Sequence, residues 1–276
     1  MNMQHITQLK EKVEQHWQDK ETINTQSKYT IECTEEVVDL LDKNEIQVCQ
    51  FVENKWVVNE WIKKAILIYF KCHQNEIISS HANSAFFDKI PSKFTNWTEK
   101  DFQNAGIRVV PTSFVRKGAF IGKNSIIMPS FINIGANIGE KTMIDSFATI
   151  GSCAKIGHSC HISSQACIGG VLEPLQAKPV IIEDDCFIGA ASAITEGVLV
   201  HKGSIIASGV HITASTKIYN RQTAEFVIGY VPQNSVVVMG SYASSNGFNI
   251  QCPIIIKQVT EETRKKTAIN DILRDE

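Results

Sequence analysis

Asp145 is the side chain in this sequence whose type and neighbours best suit chemistry. It follows Ile144 in TMIDSFATIGSCAKIG (142–157), where the pattern places it at a turn facing outward. A carboxylate there can orient or deprotonate an amine nucleophile. The same position also suits an aspartate that accepts a hydrogen bond from its own turn backbone. Arg108, in GIRVVP (106–111), is one of five arginines. Its guanidinium can clamp a substrate carboxylate through two parallel hydrogen bonds, and it also reads as an ordinary surface charge. His158, His161, His201 and His211 fall in the repeating part of the chain. A zinc site needs three ligands converging. No HxxxxH pair occurs, so no metal is expected, and a carbonic-anhydrase-like site is disfavoured. A single histidine as general base stays open. No GxxxxGK[ST] loop and no GxGxxG after a strand appears, so no nucleotide-phosphate loop is expected.

The elements that must hold these residues repeat every six positions. Aliphatic residues fall at Val109, Val115, Ile121 and Ile127, and resume one position early through Ile132, Ile138, Ile144, Ile150, Ile156, Ile162 and Ile168. After a break they continue from Ile182 through Ile188, Ile194, Val200, Ile206 and Ile212 to Ile218. Two positions earlier the side chain is small, as at Ala119, Ser125, Ala136, Ala148, Cys160 and Ser192. Six matches neither the helical period nor that of a simple strand, and hexapeptides mark a parallel β-helix. Each repeat supplies a short strand and a turn, and three make a triangular coil, so residues about 18 apart stack. The aliphatic and small residues point inward. Glycine follows the aliphatic residue at Gly122, Gly139, Gly151, Gly157, Gly169 and Gly189, where it is expected to supply turn angles that a Cβ forbids.

The texture divides the chain into a helical domain over 1–105, the β-helix over 106–228 with an outward loop at 170–179, and a cap over 229–276. Ile6, Leu9, Val13 and Trp17 are helically spaced. Thr34, before Glu35 and Glu36, reads as an N-cap. A helix is predicted from Asn59 to about Lys71, and another opens at Thr98 with Asp101 three residues on. The tryptophans are expected in the core. Residues 221–225 read as a turn between strands, 231–238 as the end of the repeat, and 260–276 as a polar helix. The 276 residues are 43% hydrophobic with a formal charge of −2. Balanced charge excludes nucleic acid and anionic membranes as preferred partners. No stretch reaches transmembrane length, and the start has no signal-peptide core. Eight scattered cysteines without CxxC are expected to be reduced, in the cytoplasm.

Several segments resemble the 2,3,4,5-tetrahydropyridine-2,6-dicarboxylate N-succinyltransferase family of diaminopimelate and lysine biosynthesis. They are KWVVNEWIKKAILIYF (55–70), FFDKIPSKF (86–94), GIRVVP (106–111), IMPSFINIGA (127–136), TMIDSFATIGSCAKIG (142–157), GGVLEPLQA (169–177), IIEDDCFIGA (181–190), VPQNSVVV (231–238) and TRKKTAINDILR (263–274). The resemblance implies a mainly β fold: a left-handed parallel β-helix with a small N-terminal helical domain, assembled as a homotrimer with sites between subunits. It implies succinyl transfer from succinyl-CoA, a co-substrate, to the amine of hydrated, ring-opened tetrahydrodipicolinate, giving N-succinyl-2-amino-6-oxopimelate. Arg108 falls on the family's substrate-binding arginine, and Asp145 on its substrate-binding, catalytic aspartate. Backbone amides near Gly169 and Gly170 are candidates for the donor site and its oxyanion. One departure stands out. The family continues IIEDDCFIGA with Arg, then Ser-Glu, whereas this chain has Ala191, Ser192 and Ala193. Glu173 or Glu196 are candidates to replace the missing carboxylate. The alternatives are an acetyl-CoA-dependent amine acyltransferase and a non-catalytic trimeric scaffold.

Overall fold

A computed structural model describes residues 3–79 and 85–259. From Arg108 onward the hexapeptides form two-residue strands that stack in three parallel ladders. The first face runs through Val109, Ile127, Ile144, Ile162, Ile188 and Ile206. The second runs through Val115, Ile132, Ile150, Ile168, Ile194 and Ile212. The third runs through Ile121, Ile138, Ile156, Ile182 and Val200. These residues fill the prism together with the small residues two positions earlier, and Ile138, Ile144, Ile150 and Ala154 have no exposed surface. A single coil leaves such side chains open at both ends. Each buried aliphatic side chain is worth about 1.5–3 kcal/mol, and that stabilisation arrives only with a neighbouring coil.

The early step between Ile127 and Ile132 is a turn of three residues, Met128–Pro129–Ser130, where other corners have four. Register survives it, because Ile132 still pairs with Ile150. Register also survives the 170–179 insertion, since Ile156 pairs with Ile182. The stack extends past residue 228. Val231 pairs with Val200, and Val237 with Ile206.

The glycines after the aliphatic residues have a different cause from the one expected. None of them has positive φ. They are there because adjacent coils touch: a Cβ on Gly139 would lie 2.4 Å from the Gly157 carbonyl. The left-handed angles fall two residues later, at Asn124, Lys141, Cys153, Ser159 and Ala191.

The N-terminal domain packs helices α1 (Met3–Gln18), α2 (Lys28–Asp42) and α3 (Glu60–Cys72). Leu9, Val13, Val37, Val38, Ile62 and Ile66 form their shared core. Thr34 is not an N-cap. It is buried within α2, and its hydroxyl donates to the Thr30 and Ile31 carbonyls. An amphipathic turn upstream, beginning at Lys28, extends the helix beyond the polar-to-apolar switch seen in the sequence. The short helix α4 (Glu99–Ala105) does open on a capping box between Thr98 and Asp101. Two hairpins, Cys49–Val52 with Lys55–Val58 and Glu76–Ser79 with Ala85–Asp88, carry no strong alternation and escaped the sequence reading. Trp61 lies in the core. Trp56 lies at its edge and donates to Glu183 Oε1 at 2.8 Å.

This domain covers the third face. Ile134, Cys153 and Ile181 belong to its core, and Lys155 donates to Asn137 Oδ1 and Gln47 Oε1. Among the described residues it leaves the first face open and reaches the second only at its start, where Phe86 packs edge-on against Phe114 at 6.0 Å and Asp88 pairs with Arg116 at 2.7 Å. A hairpin at 217–228 follows the prism, its turn at 221–224 as expected. An antiparallel pair, Ser235–Ala243 with Asn249–Gln258, closes the far end. The predicted helix at 260–276 lies outside the described residues.

Candidate active site

Arg108 and Asp145 belong to the first face of the prism. Arg108 is the outward member of the strand Arg108–Val109, and is exposed. Ladder pairing places Ile126 beside it and Met143 beside Ile126. Two ladder steps, about 9.6 Å at the usual strand spacing, therefore separate Arg108 from the strand that precedes Asp145. Among the described residues the guanidinium has no ion-pair partner.

Asp145 begins the corner between the first and second faces. Its N–H donates to Ile162 O at 2.9 Å, and its C=O accepts from Ala148 N–H at 3.2 Å. Those bonds fix the backbone as part of the coil. Oδ1 accepts from Ser146 N–H at 2.7 Å, and Oδ2 lies 3.9 Å from His161 Nε2. The turn reading of Asp145 therefore holds for Oδ1, while Oδ2 is not engaged by the turn. His161 sits directly above Met143, one coil up, and its ring tilts against Phe187 at 5.2 Å between centroids. In the sequence alone His161 is one of four histidines in the repeat. The 18-residue coil spacing from Met143 is the signal that would have placed it beside Asp145.

The remaining histidines diverge. His158 Nδ1 accepts from Glu140 N–H at 3.1 Å, His201 Nδ1 lies 3.2 Å from Glu183 Oε2, and His211 is exposed on the second face. Among the described residues no group of histidine, cysteine, aspartate or glutamate side chains could hold a metal ion. A cavity of about 390 Å³ lies at another corner, beneath the Trp56 hairpin and against Lys155, His158 and Lys202. It does not include Arg108 or Asp145.

Gly169 and Gly170 lie at the corner between the second and third faces. The Gly169 N–H is taken by Ile194 O at 2.7 Å, which leaves it no proton for an oxyanion. A Cβ on Gly170 would lie 2.1 Å from Ser152 N. The structure therefore gives this pair a packing role, letting the chain leave the prism against the coil below. The loop that follows is expelled as expected, yet it does not stand free. Leu172 packs on the helical core, and the ammonium of Lys63 from α3 donates to the carbonyls of Pro174, Leu175 and Ala177 at 3.3, 2.8 and 3.0 Å. Lys63 is wholly buried, and burial pushes its pKa below the ordinary lysine value.

Ala191 stacks on the corner that begins with Asp145. Gln165 N–H donates to Ser146 O, and Ala191 N–H donates to Ser164 O one coil higher. Ala193 faces outward on the second face, paired with Cys167. The residues where this chain departs from the expected Arg and Glu thus flank the Asp145 corner. Glu196 and Glu173 do not refill that corner within one chain. Glu196 lies at the next corner and accepts from Ala214 N–H at 3.3 Å, while Glu173 is exposed on the loop.

Hexapeptides stacked in three parallel ladders are the fold of the hexapeptide-repeat transferases. Residues 179–214 match the family model described as the hexapeptide repeat of succinyl-transferase, and residues 8–72 match that of the tetrahydrodipicolinate N-succinyltransferase N-terminal domain. The 2,3,4,5-tetrahydropyridine-2,6-dicarboxylate N-succinyltransferase of Bartonella bacilliformis is 49% identical, covering 99% of this chain and 100% of its own. That of Acinetobacter baylyi is 49% identical over 88% of this chain and 89% of its own. That of the Wolbachia of Brugia malayi is 46% identical over 98% and 99%. The chain belongs to the 2,3,4,5-tetrahydropyridine-2,6-dicarboxylate N-succinyltransferase family, enzymes of diaminopimelate and lysine biosynthesis.

Proposed function

We propose that this enzyme transfers the succinyl group of succinyl-CoA to the amine of hydrated, ring-opened tetrahydrodipicolinate. The products are N-succinyl-2-amino-6-oxopimelate and free CoA. The observation that carries the reading is near full-length similarity to succinyltransferases, together with Arg108 and Asp145 on one open face. The amine attacks the thioester carbonyl, the C–N bond forms, the C–S bond breaks, and one amine proton must leave. Asp145 Oδ2, not engaged by the turn, is the catalytic carboxylate that orients the amine and favours that loss. Arg108 binds a carboxylate of the acceptor. An unpaired guanidinium about two strand spacings away suits a molecule with carboxylates at both ends. The donor approaches from the Gly169–Gly170 side, where the chain leaves the prism for the loop held by Lys63.

The assembly we propose is a homotrimer of left-handed β-helices, with sites between subunits. Its support is the distribution of cover. The third face is buried by the protein's own helical domain. Beyond the Phe86 contact, the first and second faces keep apolar or small outward residues, among them Met143, Phe187 and Phe131. Phe147, 71% exposed at the corner where these faces meet, suits a threefold axis. The cysteines are unpaired thiols, consistent with cytoplasmic residence. No helix among the described residues is long and apolar enough to cross a membrane.

The test is CoA thiol release with succinyl-CoA and tetrahydrodipicolinate, against acetyl-CoA and no-acceptor controls. Acceptor-dependent release preferring succinyl-CoA is expected. Asp145→Asn is expected to abolish most turnover and leave the trimer intact. No release with either donor from a folded trimer would defeat the reading.

A further inference from the structure

We infer that His161 is a second catalytic residue, the group that takes the proton from the attacking amine. The inference rests on the placement of Asp145 in the acyl-transfer site. His161 Nε2 and Asp145 Oδ2 are 3.9 Å apart, with 39% and 29% of their side-chain surfaces exposed. That separation is too long for a direct hydrogen bond. It leaves room for one nitrogen to bridge them. An atom about 2.9 Å from both would subtend roughly 85° between them, an angle that two substituents of an amine can serve. The carboxylate accepts one N–H and thereby orients the amine. The imidazole lone pair on Nε2 faces the second proton.

The surroundings suit that division of labour. The His161 side chain makes no hydrogen bond among the described residues, so its Nε2 is not already committed as those of structural histidines are. Its ring packs against Phe187, and its backbone is fixed by ladder pairing with Met143. Asp145 is the carboxylate within ion-pair reach among the described residues. Arg108 is three ladder steps away, about 14 Å, too far to oppose a positive imidazole strongly across solvent. Ala191 and Ala193 bring no charge to this corner, so no second carboxylate of this chain competes for the proton.

The amine nitrogen bonds to the succinyl carbonyl carbon as its proton passes to Nε2. The tetrahedral intermediate collapses, the C–S bond breaks, and the imidazolium returns that proton to the CoA sulfur. Asp145 stays ionised throughout and stabilises the imidazolium.

The experiment measures kcat and KM across pH for the wild-type trimer, His161→Gln, His161→Asn and Asp145→Asn, with thermal unfolding as a folding control. The wild type is expected to show an acidic limb in kcat. His161→Gln is expected to lose about 100- to 1,000-fold in kcat, with KM changed less than about threefold and the acidic limb gone. His161→Asn serves if the glutamine variant melts early. A His161 variant that keeps kcat within about threefold and the same limb overturns the inference, while an inactive Asp145→Asn beside it leaves the Asp145 reading standing. Asp145→Asn with wild-type turnover overturns both.

Discussion

Replacing Lys63 by methionine tests how far the helical domain governs the 170–179 loop. The ammonium has no carboxylate within ion-pair distance among the described residues, and its partners are three loop carbonyls at 2.8–3.3 Å. Methionine fills a similar volume and donates nothing. Each hydrogen bond to a charged group is worth about 1.5–3 kcal/mol, so three give a gross loss of about 4–9 kcal/mol. Removing the buried charge recovers several kcal/mol of desolvation. The net expectation is a destabilisation of about 3 kcal/mol, within the range seen when one partner of a buried charged group is deleted. In a chain of this size that lowers the melting temperature by about 6–12 °C. Hydrogen exchange should rise selectively over 170–179, because those carbonyls would then turn toward water. Arginine should not rescue the site, since a planar fork cannot converge on three carbonyls as a compact ammonium does. A Lys63→Met protein with unchanged melting and unchanged loop exchange would refute the reasoning.

Further outcomes follow from single positions. Gly139→Ala should cost about 3 kcal/mol or abolish folding, because its Cβ would meet the Gly157 carbonyl at 2.4 Å. Gly209→Ala faces open space and carries only the left-handed φ of 72°, so about 1–2 kcal/mol is expected in the same denaturation assay. Mild alkylation should label Cys167 alone, because it is the exposed thiol and the other seven are buried. Burial also pushes the Cys49 thiol up to about 12. Mass spectrometry of the labelled peptides reads the result. Lys155 is held below the usual lysine pKa of 10.5 by burial, against the pull of nearby acidic groups. The folded state therefore sheds that proton before the unfolded chain does. Relative to Lys155→Met, wild-type stability should rise as pH climbs through the window between the lowered value and 10.5, and stay level on either side of it. Paired urea titrations check the sign.

What the sequence made legible was whatever a one-dimensional period encodes. A six-residue repeat whose members touch only their neighbours at about 18 positions leaves its register in the spelling, so the columns through Ile138, Ile156 and Ile182 follow from counting. The same counting reaches part of the site. It puts Asp145 on a corner and, carried one coil further, puts His161 beside it. Contacts without a period were invisible. Nothing near Lys63 in the sequence announces that its ammonium will meet carbonyls over a hundred residues away. Nor could spacing show that the glycines after the aliphatic residues answer to a neighbouring coil rather than to their own φ. The same distinction bears on Ala191 and Ala193. If the prism alone fixed the chemistry, losing an arginine and a glutamate there would leave Asp145 with only its own turn for company. The stacking instead supplies a histidine from the coil between them. A carboxylate with an imidazole 3.9 Å away can move a proton without the missing pair. On the proposed mechanism, the absence of both opposite charges at Ala191 and Ala193 keeps the local charge balance, the coil and a route for the proton.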